Sequence, residues 1–109
     1  MQMEKLPKFI IEGDNLILMK VSFHKEIVTD KTKVKGGGWF KKQDDMFVFY
    51  GDSHDFGQAK FEDIENCVKN GNVFSDNHLY RNISERHRFG YDTGSEIIEI
   101  KNNENNNNQ

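Results

Sequence analysis

The chain has little of the material from which cross-links and membrane spans are made. Its 109 residues include a single cysteine, Cys67, which excludes an internal disulfide and is typical of a reducing compartment. No run approaches the roughly 20 apolar residues that span a bilayer. The N-terminus also lacks the apolar segment of a secretory signal peptide. We therefore expect a cytoplasmic protein with no membrane partner.

The chain also lacks a strong excess of charge of either sign. Fifteen basic and 18 acidic side chains give a formal net charge of −3, which creates no global field that gathers nucleic acid. Charge is uneven, because residues 78–88 hold three arginines and two histidines against one glutamate. This basic strip leaves open a nucleic-acid or protein-interaction role. A solvated helix face is the simpler interpretation, and three arginines would bind weakly and with steep salt dependence.

What the chain does contain is aromatic side chains, including nine phenylalanines, which can fill the core of one small domain. We expect this domain to span residues 1–101 and to be monomeric. Residues 102–109 form a low-complexity polar tail, NNENNNNQ. This tail has no apolar side chains to bury, so we expect disorder there.

Apolar patterning predicts strands in the first half of the domain. KFII and LILMKVSF flank a Gly-Asp-Asn turn, and GGGWFKK and MFVFY form a hairpin around QDD. Because MFVFY is apolar at every position, it is typical of a strand in the middle of a sheet. A short last strand is predicted at SEIIEI.

Two helices are predicted in the second half. KFEDIENCVKNG places Phe61, Ile64 and Val68 on one helical face. SDNHLYRNISERHRF predicts another helix, with Leu79 and Ile83 facing inward. The order of elements indicates an α+β fold, with one mainly antiparallel (mixed) β-sheet flanked by two helices.

The run KGGGWF predicts a close approach of two chain segments. Each glycine costs roughly 0.5–1 kcal/mol relative to alanine inside a regular element. Gly36, Gly37 and Gly38 therefore indicate either that another backbone passes close by or that the strand bulges.

The stretch GDSHDFG follows the buried strand. Gly51 and Gly57 allow a sharp turn. Main-chain N–H groups between them, together with the Ser53 hydroxyl, can form a concavity for an anion, and a following helix adds its positive end. Asp52 and Asp55 must then face solvent or cap the loop. The simpler alternative is that Ser53 and Asp55 only satisfy the backbone of the turn.

The segment FHKEI contributes one titratable side chain, His24, just after an apolar strand. Histidine moves protons near neutral pH, although a single histidine is more often structural. Imidazole and carboxylate groups can bind a divalent metal ion, and the sequence offers them at His24, Asp52, His54 and Asp55. Their spacing matches no established ligand pattern, so we expect no metal and no cofactor.

Taken in order, HKEI, GGG and YGDSHDFGQA resemble the Janus/phosphohistidine phosphatase family. That family pairs a YHADI-like histidine segment with LGGG and a YGYSxxYGPA-like loop. The resemblance covers roughly residues 16–68. The matching loop positions are Tyr50, Gly51, Ser53, Phe56, Gly57 and Ala59. The resemblance implies a small cofactor-free phosphatase that acts on a phosphohistidine-containing protein or a small phosphoramidate.

The resemblance also implies roles for individual residues. His24 corresponds to the catalytic histidine, acting either as general base on water or as nucleophile on phosphorus. Ser53 corresponds to the phosphate-binding serine, and Lys25 and Asp55 contribute main-chain N–H groups. His54, adjacent to Ser53, is the candidate for protonating the leaving nitrogen.

One departure from the family concerns its phosphate-binding lysine, which falls on or near Asn15 here. Asn15 is neutral, so Lys20 or Lys35 would have to replace the missing charge. This departure leaves a second function open, in which the same fold binds phosphate or a phosphoprotein without turnover.

Overall fold

The computed structural model describes residues 4–75, 81–82 and 87–101, the pair 81–82 by its backbone alone. The described strands are β1 (Leu6–Glu12), β2 (Asn15–Val21), β3 (Val34–Gln43), β4 (Met46–Tyr50), β5 (Val73–Ser75), β6 (Arg81–Asn82), β7 (Arg88–Asp92) and β8 (Ile97–Ile100). One α-helix, α1 (Phe61–Lys69), lies among these residues, with two 3₁₀ turns at His24–Glu26 and Lys31–Lys33. None of the described helices is long and apolar enough to cross a membrane.

The described strands form one sheet in the order β6-β5-β2-β1-β3-β4-β7-β8. The β2–β5 and β4–β7 pairs are parallel, and the other neighbours are antiparallel. This confirms the α+β class and the mainly antiparallel, mixed sheet. It also confirms the internal position of MFVFY, since β4 lies between β3 and β7 and both Val48 and Phe49 are fully buried.

Alternation along β1 builds a core on each face of the sheet. Phe9 and Ile11 belong to the larger core, to which α1 contributes its buried residues Ile64 and Val68. Ile10 points the other way, into a smaller core that includes Ile27. The first face is therefore covered by the helix, and the second by residues 22–33, here called the 22–33 segment.

Two buried charged side chains of β1 hold the 22–33 segment on the sheet. Lys8 donates to the main-chain oxygen of Ser22. Glu12 accepts from the Thr29 and Asp30 main-chain N–H groups, each at 3.0 Å, and from the Thr29 hydroxyl. Because Lys8 and Glu12 share the face of Ile10, the sheet holds this segment before His24 at Ser22 and after it at Thr29 and Asp30.

The second predicted helix is not confirmed. Strand residues Val73–Ser75, Arg81–Asn82 and Arg88–Asp92 fall within the predicted segment or overlap its ends. β7 pairs with β4 and buries Phe89, so pairing with a distant strand overrides the local helical pattern. The expected inward residues Leu79 and Ile83 lie outside the described residues, as does the 102–109 tail.

Candidate functional site

The three glycines of β3 are where the loop after β4 meets the sheet. A Cβ atom on Gly36 would lie 2.7 Å from the Ala59 Cα atom, and one on Gly38 would lie 2.7 Å from the Tyr50 carbonyl oxygen. The pairing of β1 with β3 also shifts register at this point. Both alternatives predicted for the glycine run, a closely passing backbone and a bulge, are therefore confirmed.

The loop GDSHDFG, here called the 51–57 loop, closes on itself and is attached to β3. The Gly57 N–H donates to the Ser53 carbonyl at 2.9 Å, and the Gly57 carbonyl accepts from Gly37 N–H at 3.0 Å. Gly51 and Gly57 have φ angles of 73° and 80°. These left-handed conformations favour glycine, and they turn the loop back towards the second face of the sheet.

An open cleft of about 830 Å³ lies between the 51–57 loop and the 22–33 segment. We call it the His24 cleft. Its lining residues are Lys8, Ser22, Phe23, His24, Lys25, Trp39, Asp52, Ser53, His54, Asp55 and Gly57. The structure thus brings together five of the six predicted catalytic and substrate-binding residues, and it adds Lys8 and Trp39.

His24 is held in the cleft with one ring nitrogen available. Its side chain is 5% exposed, and Nε2 lies 2.6 Å from the Gly38 carbonyl oxygen. A carbonyl only accepts, so Nε2 carries the proton and Nδ1 carries a lone pair. Among the described residues, no donor is in hydrogen-bond contact with Nδ1.

The electrostatic surroundings keep the His24 ring neutral. Burial is the largest cause that lowers its pKa below the ordinary value. The Gly38 hydrogen bond opposes this, the positive charge of Lys8 adds to the lowering, and Asp55 and Asp52 oppose it weakly. A neutral imidazole with a free Nδ1 is the form that a general base or a nucleophile requires.

Ser53 and its neighbours offer donors to the same cleft. Ser53 is 2% exposed, and its Oγ accepts the Phe56 N–H at 3.1 Å. That arrangement leaves the hydroxyl proton for a ligand. No acceptor within the described part of the chain contacts the main-chain N–H groups of Lys25, His54 or Asp55. Donors without acceptors that line one cleft can bind an anion.

Lys8 is a charged residue of the cleft that the sequence analysis did not single out. It lies opposite Trp39 in the β1–β3 ladder, with Nζ 4.9 Å from the Trp39 ring centroid and bonded to the Ser22 carbonyl. The signal that identifies it is the alternation of β1. Lys8 shares a face with buried Ile10. A lysine on a buried face is costly unless its charged group is hydrogen-bonded or paired, so its presence there indicates polar partners.

The residues expected to carry or replace the family lysine lie elsewhere. Asn15 begins β2, at the far end of that strand from His24, and it lines a separate cavity with Glu12 and Phe74. Lys35 is outside the cleft, with its Nζ atom 4.0 Å from Asp14 Oδ1. Lys20 is also exposed outside the cleft. Asn15, Lys20 and Lys35 therefore do not line the His24 cleft, whereas Lys8 of β1 does.

Other expectations about the loop are met in part. Asp52 and Asp55 are exposed, as an anion site requires. Lys60 precedes α1 without a side-chain cap, and no α1 residue lines the cleft, so the expected contribution of a helix dipole is absent. No cluster of three potential metal ligands occurs in the described ranges.

The remaining chemical features of the chain lie away from the cleft. Cys67 is buried against the Asp14 carbonyl, and burial raises its pKa to about 11, as is typical of an unreactive structural thiol. Of the basic strip, Arg88 pairs with Asp45 at 3.0 Å and Glu99 at 3.1 Å. Residues 78–80 and 83–86 of the strip lie outside the described residues.

Comparisons of the chain with protein-family models, with curated proteins and with solved structures find no match.

Proposed function

We propose that the chain is a metal-independent phosphoryl hydrolase of the phosphohistidine phosphatase type. The observation that carries this proposal is the convergence, in one cleft, of a buried His24 with a free Nδ1 and a set of donors without acceptors. A purely structural histidine has no need of main-chain N–H groups without acceptors in the same cleft. A reacting phosphoryl group requires both.

The donors account for binding of the phosphoryl oxygens. The Ser53 hydroxyl and the N–H groups of His54 and Asp55 come from one short loop, held on β3 by the Gly37–Gly57 bond. Lys8 adds a fixed positive charge at the back of the cleft. Hydrogen bonds to a charged oxygen contribute about 1.5–3 kcal/mol each, and donors already in place need no reorganisation in the transition state.

His24 then supplies the reactive group. Its Nδ1 either removes a proton from water as the water attacks phosphorus in line, or attacks phosphorus itself, which forms an Nδ1–P bond as the bond to the leaving nitrogen breaks. In both routes, the Nε2–H bond to Gly38 fixes the ring and stabilises the positive charge that it gains. The leaving nitrogen needs a proton, and His54 lies exposed in the cleft to give it.

The test is release of inorganic phosphate from a phosphohistidine peptide by the wild type and by His24→Gln. The glutamine amide can still donate to the Gly38 carbonyl but has no basic nitrogen. We expect a loss of about 10²–10⁴-fold in kcat, the usual contribution of a general base. His87→Asn, away from the cleft, serves as the matched histidine control and should leave kcat unchanged.

Two outcomes contradict the proposal in different ways. Equal rates for the wild type and His24→Gln would remove His24 from the chemistry. No turnover by the wild type, combined with saturable binding of inorganic phosphate that Ser53→Ala weakens, would indicate the alternative function, a phosphate-binding module without catalysis.

A further inference from the structure

A second cavity lies on the same face of the sheet as the His24 cleft. Its volume is about 330 Å³, within the range of small-molecule sites, roughly 300–1,000 Å³. We call it the Glu12 cavity. Its lining residues are Glu12, Asn15, Ile17, Thr29 and Phe74. None of these residues lines the His24 cleft, so the proposed hydrolysis does not use this cavity.

Two pairs of neighbouring strand residues build the Glu12 cavity. Glu12 lies opposite Asn15 at the hairpin end of the β1–β2 ladder, and Ile17 lies opposite Phe74 in the parallel β2–β5 ladder. Residues paired in this way lie side by side on one face of a sheet. The cavity therefore has a polar end, where Thr29 bonds to Glu12, and an apolar end at the next pair along β2. A ligand that fills it needs a polar group and an apolar body.

Glu12 gives the polar end a negative charge. Its side chain is 9% exposed, and it has no ion-pair partner within the described ranges. Its donors on the 22–33 segment are uncharged, namely the N–H groups of Thr29 and Asp30 and the Thr29 hydroxyl. Buried glutamates are usually paired with a cation, and neutral donors leave the net charge in place. The polar end therefore favours a positively charged group.

One acceptor position of Glu12 remains for such a group. An ionised carboxylate has about four positions that accept a hydrogen bond, and the 22–33 segment fills one on Oε1 and two on Oε2. The opposite residue, Asn15, adds an amide oxygen as a second acceptor. The ring of Phe74 adds an aromatic surface, which attracts cations and packs against apolar groups.

We propose that the Glu12 cavity binds a small organic cation, an amine with a compact aliphatic or aromatic body. The ammonium group donates to Glu12 Oε1 and to the Asn15 amide oxygen, and the body packs on Ile17 and Phe74. Glu12 repels an anion. A divalent metal ion takes several oxygen ligands, which the apolar end does not supply. This inference does not depend on the hydrolase proposal.

The experiment titrates the isotope-labelled protein with three probes that share one ring: 2-phenylethylamine, uncharged 2-phenylethanol and anionic phenylacetate. NMR shifts of the Thr29 and Phe74 N–H groups report both affinity and location. The proteins are the wild type, Asn15→Lys and Asn70→Lys. Both asparagines are exposed, and only Asn15 lines the cavity, so the two variants share one change in net charge. Both keep Glu12, which holds the 22–33 segment.

We expect the wild type to bind 2-phenylethylamine about tenfold more tightly than 2-phenylethanol, the effect of one charge-assisted hydrogen bond. Phenylacetate should bind most weakly, and the preference for the amine should shrink at high salt. Asn15→Lys should lower the affinity for the amine by about tenfold or more, because its ammonium group lies opposite Glu12 and competes with the probe. Asn70→Lys should keep the wild-type affinities.

Four results would overturn the inference. Equal affinities for the amine and the alcohol would show that Glu12 does not select a cation. Equal losses in Asn15→Lys and Asn70→Lys would show an effect of net charge alone. Shifts confined to residues of the His24 cleft would place the amine in the wrong site. Absence of binding by all three probes at millimolar concentration would show that the cavity accepts no ligand of this size.

Discussion

Replacing Gly36 by alanine tests how the site is held together. At this residue β3 touches the chain that follows the 51–57 loop. A Cβ atom on Gly36 would lie 2.7 Å from Ala59 Cα, 2.8 Å from Ala59 N and 2.8 Å from the Gln58 carbonyl oxygen. All three atoms are backbone, so no side-chain rotation relieves the overlap. Gly36→Ala must push the loop and the sheet apart.

The magnitude has two parts, which a second glycine separates. Gly36 has a φ of 143°, and an alanine there pays a conformational cost of about 1–2 kcal/mol, as at other positive-φ positions. The steric overlap adds about 1–3 kcal/mol. Gly94 also has a positive φ, 100°, but nothing lies within 4 Å of its added Cβ. Gly94→Ala therefore has the conformational cost of the positive φ angle but no steric overlap.

The assay is urea unfolding of the wild type and both variants, followed by fluorescence of the single tryptophan, Trp39. We expect Gly94→Ala to lose about 1–2 kcal/mol and Gly36→Ala to lose about 2–5 kcal/mol. For a domain of this size the extra loss lowers Tm by several degrees per kcal/mol. Equal losses for the two variants would refute the close approach of β3 to Ala59.

Three further predictions concern charge and burial. Lys8→Met should weaken binding of inorganic phosphate by about tenfold or more, measured by calorimetry, because a charge-assisted bond is lost; unchanged affinity would remove Lys8 from the site. Because the pKa of folded His24 lies below its unfolded value near 6.5, the unfolded chain protonates first as pH falls. The free energy of unfolding should therefore decrease below pH 6.5, less steeply in His24→Gln, and parallel curves would contradict the neutral ring. With burial raising its pKa to about 11, Cys67 should react with a thiol reagent only after unfolding, so rapid labelling of the native protein would contradict its burial.

Features that depend on local chemistry were predictable from the sequence. A run of three glycines before Trp39 has few explanations besides close approach or a bulge, and β3 shows both. The glycines that bound the 51–57 loop likewise have the left-handed φ angles that the turn required. In each case the residue type and its immediate neighbours contain the physical reason.

Features that depend on pairing between distant segments were not predictable in the same way. Residues 88–92 become β7 because β4 offers a free edge about 40 residues away, where Phe47 pairs with Phe89. The local pattern around Arg88 carries no strong strand signal. Burial of Phe89 in the core shared with α1 decides the conformation, and local helix propensity is too weak to oppose it.

The location of Lys8 in the cleft likewise depends on which strands pair and not on the local sequence. A motif comparison that runs along the chain looks for the phosphate-binding lysine beside the early strand, and it selects Asn15 because that residue precedes LILMKV. The sheet order places β1 between β2 and β3, so one face of β1 lies beneath the segment after β2 and beside Trp39 of β3. A lysine on that face reaches the end of β2, where His24 follows, whereas a residue at the start of β2 lies roughly 20 Å away along the strand. Which lysine lies in the His24 cleft is therefore set by which strands are neighbours. The sequence feature that points to Lys8 is its alternation with the buried apolar residues of β1.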